Sequence, residues 1–390
     1  MKNSILILGG GFAGVEAAIK LSGLGYDVSL ISNRDYLFIY PISIWIPVKK
    51  KAFEDVSIPL ATLSNKHGFK VIIDDVSQII AKESKVVLGK QTLTYDYLVI
   101  AIGMHKYNTT GLEHTHSICG KPEESVIIQK EFDKLIEKGK GNIAIGFGGN
   151  PIDPSATAVR GGPAFELLFN FSHYLKKKKL QNNFELTFFA PMAEPGKKMG
   201  KNAMNKMDVM FKHYKIKKQT GKKIKKFEKD GIIFEDNMKL ESDLTIFISG
   251  GDGHSVMQNS DLPLSDAGFI KIDDRCKVEG LDQVYAIGDV TDLNGPKWAA
   301  KQGHIAEVMA DVTAYNIHHR INKSEKRKTY HKHLNILCVM DSGDGAAFVY
   351  RKADFDMILP LPFVGHWLKK AWGFYYKNTK LKRFPRIPGM

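Results

Sequence analysis

The chain has 390 residues, of which 43% are hydrophobic and 25% charged, a composition typical of a folded protein with two or three domains. It excludes a collagen, a wholly disordered chain and a polytopic membrane protein, and three cysteines are too few for a disulfide framework. A net charge of +14 favours anionic partners such as lipid headgroups, nucleic acid or acidic proteins. No apolar run reaches bilayer-spanning length and no secretion signal is evident, so we expect a cytoplasmic protein that can attach peripherally to a membrane.

The first hundred residues predict a βαβ unit followed by further strands. A strand over 4–8 runs into three glycines, a helical pattern begins at Phe12, and a second strand covers 28–31. The segment 35–48 is aromatic and interrupted by proline, so it fits neither a regular strand nor a long helix. Strands are expected at 71–73, 85–88 and 97–102.

A second α/β region is predicted to begin near Gly141. It contains strands over 142–145, 185–190 and 244–249, a helix over 163–175 and a lysine-dense stretch over 197–229. The first domain then resumes with a strand over 283–287 and a helix over 301–316. A hairpin follows over 334–350 with its turn at 342–345. The last thirty residues carry seven basic residues, no acidic one and many aromatic residues.

These elements predict an α/β fold with two interleaved Rossmann-like dinucleotide-binding domains and a C-terminal amphipathic membrane-docking extension. We place the first part of one domain at 1–120, the second Rossmann-like domain at 121–249, the return of the first domain at 250–350, and the docking segment at 351–390.

A glycine fingerprint, Gly9-x-Gly11-x-x-Gly14, follows the first strand and opens the first helix. In this context the first glycine permits a tight turn, the second lets the backbone approach a pyrophosphate, and the third allows close packing of helix on strand. An acidic ribose ligand is expected at the end of the second strand, where this chain has Ser32 and Asn33. A hydroxyl or an amide can also bond a ribose.

Two further segments, 94–103 and 284–289, resemble the second and third motifs of flavoproteins with two dinucleotide-binding domains. Within that group the chain resembles the sulfide:quinone oxidoreductases. The resemblance rests on residues 35–45, on His116 to Gly120, on the Gly-Pro-Ala-Phe-Glu run over 162–166, on Pro296-Lys297 and on 337–343. The flavin subunit of flavocytochrome c sulfide dehydrogenase and the type II NADH dehydrogenases are neighbours in the same superfamily.

The resemblance implies FAD as cofactor, and it implies sulfide or another small sulfur donor, a quinone and an anionic membrane surface as partners. It implies a redox role for Cys338, an accessory role for Cys119, a catalytic base at Glu166 and support of reduced flavin by Lys297. The expected cofactor residues are Gly9, Gly10, Gly11, Phe12, Ala13, Gly14, Ser32, Asn33, Pro41, Val76, Ala101, Ile102, Gly103, Gly288, Asp289, Lys297 and Lys301. The expected quinone residues are Phe363, Phe374, Tyr375 and Tyr376.

One departure from the family pattern concerns the second redox cysteine. The sulfide enzymes have a cysteine shortly before the Gly-Pro-Ala-aromatic-Glu run, and Arg160 occupies that place here. The two-sulfur relay is therefore incomplete, and an anionic substrate could be held by the guanidinium instead. Whether Cys119 and Cys338 pair is open.

A second departure concerns the inner glycine motif. It reads Gly146-Phe147-Gly148-Gly149-Asn150-Pro151, which is a poor pyrophosphate cradle and argues against NADH as donor. An NADH:quinone oxidoreductase remains the alternative enzyme. A flavin redox module without sulfide chemistry of its own is the alternative of another class.

Simpler interpretations accompany several of these residues. Cys338 lies in an apolar strand and is as readily a buried core residue, and Glu166 is favourable at a helix start for electrostatic reasons alone. Cys276, among charged neighbours, is expected to be an exposed, non-catalytic thiol. The chain shows no metal-ligand spacing and no nucleic-acid motif, so neither partner is expected, while a homo-oligomer is possible.

Overall fold

The computed structural model describes residues 3–152, 159–353 and 355–386. The first third forms β1 (Ser4–Leu8), α1 (Phe12–Gly23), β2 (Asp27–Ser32), β3 (Tyr36–Phe38), α2 (Tyr40–Ser43), β4 (Ser57–Pro59), α3 (Leu60–His67), β5 (Lys70–Ile73), β6 (Val76–Ile80), β7 (Lys85–Leu88), β8 (Thr92–Thr94), β9 (Tyr97–Ile100) and β10 (His105–Lys106). The middle forms α4 (Glu124–Lys138), β11 (Gly141–Phe147), α5 (Gly162–Lys177), β12 (Phe184–Ala190), α6 (Lys201–His213), β13 (Lys217–Thr220), β14 (Ile224–Glu228), β15 (Gly231–Phe234), β16 (Lys239–Glu241), β17 (Leu244–Ile248) and β18 (Gly251–Asp252). The last part forms β19 (Ile270–Lys271), β20 (Val284–Ala286), β21 (Thr291–Asp292), α7 (Gly303–Ile321), β22 (Ile336–Asp341), β23 (Gly345–Lys352), β24 (Phe355–Pro362) and α8 (Val364–Lys380).

A five-stranded parallel sheet organises the first domain, with strands in the order β5-β2-β1-β9-β20. Its central strands are continuous apolar runs because both faces are covered. The chain order reverses between β1 and β9, and the carboxyl ends of all five strands meet at one edge. Such a switch point is where doubly wound sheets bind ligands. Strand β20 comes from far along the chain, so the sheet is built from two separate segments.

A second parallel sheet has the order β13-β12-β11-β17. The α/β class with Rossmann-like parallel sheets is thereby confirmed. Two antiparallel sheets, β6-β7-β8 and β14-β15-β16, accompany the parallel sheets. The aromatic segment 35–48 consists of the short elements β3 and α2 followed by turns, in agreement with its mixed pattern, and Trp45 within it is fully buried.

The C-terminal part begins with an antiparallel sheet in the order β22-β23-β24. The hairpin of β22 and β23 was expected, whereas β24 was not. Its prolines, Pro360 and Pro362, are compatible with a strand because β24 lies at the edge of the sheet. Helix α8 packs closely on this sheet at Gly365, where a Cβ atom would lie 2.5 Å from the Cβ of Ala346.

The expectation that Cys276 is exposed is wrong, because its side chain is fully buried at 0% exposure. Its charged neighbours belong to a tight turn in which the Asp273 carboxylate accepts hydrogen bonds from the backbone N–H groups of Arg275 and Lys277. That turn directs the charged side chains outward and the thiol inward.

Within residues 3–152, 159–353 and 355–386, none of the helices has both the length and the apolar character that crossing a bilayer requires.

Candidate active site

A cavity of about 2150 Å³ opens at the carboxyl edge of the five-stranded sheet. Four segments at the carboxyl ends of parallel strands line it: the glycine turn after β1, Ser32 and Asn33 at the end of β2, the stretch 101–103 after β9, and Gly288 with Asp289 after β20. Pro41, Val76 and Lys301 also line it. The structure therefore brings together every residue expected to bind the cofactor except Gly14 and Lys297.

The glycine turn has the geometry that a pyrophosphate cradle requires. A Cβ atom at Gly14 would overlap the carbonyl oxygen of Gly9, so the third glycine is needed for close packing of α1 on the turn. A Cβ atom at Gly10 would overlap Ser32. At Gly11, in contrast, no heavy atom lies within 4 Å of that position, which leaves the backbone at the start of α1 accessible to a ligand.

Of the two lysines expected to bind the cofactor, Lys301 lies in the cavity wall and Lys297 does not. Lys297 is exposed on a turn outside the cavity wall, whereas Lys301 is buried in it. The Lys301 ammonium donates to the carbonyl oxygen of Asp289 at 2.9 Å and lies 3.1 Å from the ring centre of Phe269. Burial lowers the pKa of Lys301 to about 7. Helix α7 begins at Gly303, so Lys301 lies directly before the helix and Lys297 lies on the preceding turn.

Two free thiols, Cys119 and Cys338, line the same cavity. Burial raises the pKa of Cys338 to about 12, and the charge of Glu166 contributes to the increase. The start of α5 lies against this thiol, since a Cβ atom at Gly162 would be 3.9 Å from Cys338 Sγ. Burial also raises the pKa of Cys119, although Lys106 and Arg160 oppose that effect. The two cysteines do not form a disulfide.

Arg160 projects into the cavity and pairs with Asp289. Its Nε atom is buried and has no hydrogen-bond partner among the described residues. Lys106 and Lys198 line the cavity too, and burial lowers the pKa of both. Arg160, Lys106 and Lys198 therefore bring positive charge to the cavity, and Arg160 is paired with the carboxylate of Asp289. This positive charge favours a bound anion.

Glu166 is buried at the inner wall of the cavity and pairs with Lys369 of α8. Its carboxylate also accepts the backbone N–H of Asp341 at 2.8 Å. The Asp341 carboxylate accepts hydrogen bonds from Trp45 Nε1 and Asn170 Nδ2, both at 3.0 Å, and from His366 Nδ1. Although burial acts to raise the pKa of Asp341, these donors hold it at about 2.

The four residues expected to bind quinone fall into two groups. Tyr375 and Tyr376 line the cavity, whereas Phe363 and Phe374 are 76% and 63% exposed and lie outside its wall. Tyr376 stacks between Phe12 and Trp372, with ring centres 5.1 and 5.2 Å apart. Trp372 also lines the cavity and was not anticipated.

Next to this aromatic stack, Lys380 pairs with Glu16 of α1 and with Glu307 of α7. Tyr376 donates its hydroxyl hydrogen to Glu307 at 3.1 Å. Sequence reasoning missed the cluster and treated all basic residues of the tail as surface charges. The available signal was Glu16, a lone carboxylate within an otherwise apolar stretch of the first helix.

Several large apolar side chains at the end of the chain are exposed, and we call them together the docking surface, after the docking segment expected from the sequence. It consists of Phe355, Met357, Leu359, Phe363, Val364, Trp367 and Leu368. The strand residues alternate with buried or partly buried ones, and the helix residues share one face by their spacing. The Lys370 ammonium lies 4.8 Å from the ring centre of Trp367.

The inner glycine motif after β11 is covered by protein. Val159 lies over it, since a Cβ atom at Gly149 would be 3.5 Å from Val159 Cγ2. Asn150 is buried and donates to the carbonyl oxygen of Gly251 at 2.9 Å. Helix α5 begins only at Gly162, so the glycines do not open a helix as they do in the first domain. Residues 153–158 of the insert lie outside the described residues.

Comparison with known proteins gives a consistent result. The family model described as pyridine nucleotide-disulphide oxidoreductase matches residues 3–310. A sulfide-quinone reductase from Aquifex aeolicus is 27% identical over 98% of this chain and 90% of its own length. A type II NADH:quinone oxidoreductase from Staphylococcus saprophyticus is 21% identical over 90% of each chain. Among solved structures, the sulfide:quinone oxidoreductase of Aquifex aeolicus superimposes with a TM-score of 0.87 at 21% identity, covering 98% of this chain and 92% of that one.

Proposed function

Since the chain belongs to the pyridine nucleotide-disulphide oxidoreductase family, a family of flavoproteins, and its cofactor is FAD, we propose that it oxidises a small anionic sulfur donor at Cys338 and reduces a membrane quinone. The observation that carries the proposal is the position of the free Cys338 thiol. It lines the same cavity as the glycine turn, Asp289 and Arg160, and the charge of Glu166 acts on it.

The residues present fit FAD. The accessible backbone at Gly11 suits the pyrophosphate, Asp289 suits the ribityl hydroxyls, and the buried ammonium of Lys301 suits negative charge on the reduced ring. When bound, FAD would supply the two-electron acceptor for the sulfur couple and the two-electron donor for the quinone.

The chain's own residues account for the sulfur step. A thiol and HS⁻ give a persulfide, one proton and two electrons, so the site must stabilise an anion and accept a proton. Arg160 supplies a cation with a buried, unpartnered Nε, and Lys106 and Lys198 add positive charge. We assign the role of proton acceptor to Glu166, because the charge of its carboxylate acts on the Cys338 thiol and raises the pKa of that thiol. With arginine where the family has a second cysteine, the anion is held by charge rather than by disulfide exchange.

The covered inner glycine motif disfavours NADH as donor. A dinucleotide needs accessible backbone N–H groups at a helix start, and here Val159 and the buried Asn150 occupy that place. The similarity to a type II NADH:quinone oxidoreductase keeps this donor as the second candidate.

The quinone is expected to enter from the docking surface. Tyr375, Tyr376 and Trp372 form an aromatic wall of the cavity on α8, the helix that also carries Trp367. Apolar side chains beside lysines on one exposed face are the pattern of a helix lying on an anionic bilayer. We therefore assign the docking surface to a membrane.

The decisive experiment is an anaerobic titration of the flavin-loaded protein. Sulfide is expected to bleach the flavin absorbance, and a short-chain quinone is expected to restore it. The variant Cys338→Ser should lose both responses, whereas Cys276→Ser should keep them. Bleaching by NADH but not by sulfide would support the NADH enzyme, and no bleaching by either donor would support a flavin module that receives electrons from a protein.

A further inference from the structure

Consecutive residues of α8 face two different environments. Trp367 and Leu368 are exposed on the docking surface, whereas His366 and Lys369 are buried against the core. The two buried residues are three positions apart, so they lie on one face of the helix. This face contacts the polar groups next to Cys338.

The contact of Lys369 is with Glu166. Both side chains are almost fully buried, at 6% and 4% exposure, and they form an ion pair. Burial raises the pKa of Glu166 above its usual value, and the ammonium of Lys369 is the largest influence that opposes this increase. A buried carboxyl group without its cation takes up a proton at neutral pH, because desolvation penalises the charged form.

The same helix turn makes a second contact through His366, and this contact is with β22. It donates to Asp341, whose backbone N–H in turn donates to Glu166 at 2.8 Å. The His366 contact holds α8 against β22, the strand that carries Cys338, and the Lys369 contact holds α8 against α5. The charged and titratable groups that act on Glu166 are Lys369 from α8, Asp341 and Cys338 from β22, and Cys119. Those that act on Asp341 include His366 from α8, Lys50 from the turn after α2, His173 from α5 and Tyr214 after α6.

We propose that Lys369 is a positioning residue that keeps Glu166 ionised beside Cys338. Helix α8, which carries part of the docking surface, thereby contributes to the site around Cys338. The chemical consequence rests on the proposed function, because an ionised Glu166 is the form that can accept the thiol proton. One turn of α8 therefore contributes residues both to the docking surface and to the site around Cys338.

Infrared spectroscopy tests the charge state of Glu166 directly. At neutral pH, Lys369→Met is expected to gain the carbonyl band of a protonated carboxylic acid, which an ionised carboxylate lacks. The double variant Glu166→Gln with Lys369→Met should not gain this band, which assigns it to Glu166. Lys369→Arg keeps a cation and should match the wild type. Lys370→Met removes the neighbouring lysine, which lies over Trp367, and is the matched control. A folded Lys369→Met protein with the wild-type spectrum would overturn the proposal.

A second measurement does not depend on a stable single variant. Replacing both members of a buried ion pair is tolerated better than replacing one. The proposal expects Cys338 in the double variant to react faster with iodoacetamide than in the wild type, because the charge of Glu166 raises the pKa of Cys338 more than Lys369 lowers it. Equal or slower alkylation would mean that Glu166 is already neutral in the wild type, against the proposal. Neither readout requires turnover of sulfide, so failure of the proposed function would be recognised separately.

Discussion

Lys380, the last residue of α8, forms a buried ion pair with Glu16 of the first helix, α1. The contact joins two residues that are 364 positions apart, and it fixes the C-terminal helix beside the glycine turn. Burial disfavours charge on Lys380, yet its pKa is raised because Glu307 and Glu16 stabilise the ammonium. The final helix is therefore a part of the first domain's core rather than an appendage.

Removing this cation should destabilise the protein strongly. Lys380→Met leaves Glu16 and Glu307 without their shared buried partner, although the more exposed Arg386 still contacts both carboxylates. Breaking one side of a buried pair costs about 3–5 kcal/mol, so we expect the free energy of unfolding to fall by about 3 kcal/mol in urea denaturation. The exposed Lys382→Met is the control and should change it by less than about 0.5 kcal/mol. Equal stability of the two variants would refute the structural role of the cluster.

The second prediction concerns Arg160 and the sulfur donor. Arg160→Gln removes the charge but keeps a polar side chain, so the KM for sulfide is expected to rise about 10- to 100-fold, the equivalent of one charged hydrogen bond. Arg160→Lys should fall between this variant and the wild type, because lysine retains the charge without the planar fork. Arg275→Gln, far from the cavity, should leave KM unchanged. Steady-state kinetics with an excess of quinone provide the measurement, and an unaltered KM in Arg160→Gln would count against anion binding at this residue.

The third prediction is a dependence of stability on acid. The pKa of Asp341 is about 2 in the folded protein against 3.8 ordinarily, so the unfolded chain binds its proton first as the pH falls. The stabilisation is fully present above pH 4 and is lost as the pH falls towards 2, an effect of about 2 kcal/mol by linkage. Asp341→Asn should have a flatter profile of unfolding free energy between pH 4 and pH 2. The exposed Asp266→Asn should keep the wild-type slope, and a wild-type slope in Asp341→Asn would show that this carboxylate is not the source.

The fourth prediction addresses the docking surface. Val364 and Val209 are both 66% exposed, but only Val364 belongs to that surface. Val364→Glu should weaken flotation of the protein with vesicles of anionic phospholipid, since it places a carboxylate against the headgroups, whereas Val209→Glu should float like the wild type. High salt should weaken the binding of all three proteins through screening of the basic residues. If both variants floated equally well, the result would contradict the assignment of the docking surface to a membrane.

Local patterns of the sequence were sufficient for the first domain. The glycine turn, the strand ends and Asp289 are recognisable because each depends on neighbours within a few residues, and parallel strands place their carboxyl ends at one edge whatever the rest of the chain does. The Rossmann-like fold followed from those patterns, and FAD followed from the resemblance of 94–103 and 284–289 to flavoprotein motifs. The free thiols and Glu166 were also named from the sequence, although it left their mutual arrangement open.

What the tertiary structure alone decided concerns burial and pairing over long distances. Lys297 and Lys301 are both lysines shortly before a helix, and only the path of the chain shows that the second one reaches the cavity. Cys276 is buried among charged residues because a turn directs those charges away. Lys369 and Lys380 looked like surface cations until their partners, Glu166 and Glu16, came from helices far away in the chain. The free energy of a charged side chain depends on the groups that surround it in space, and linear order does not specify those groups.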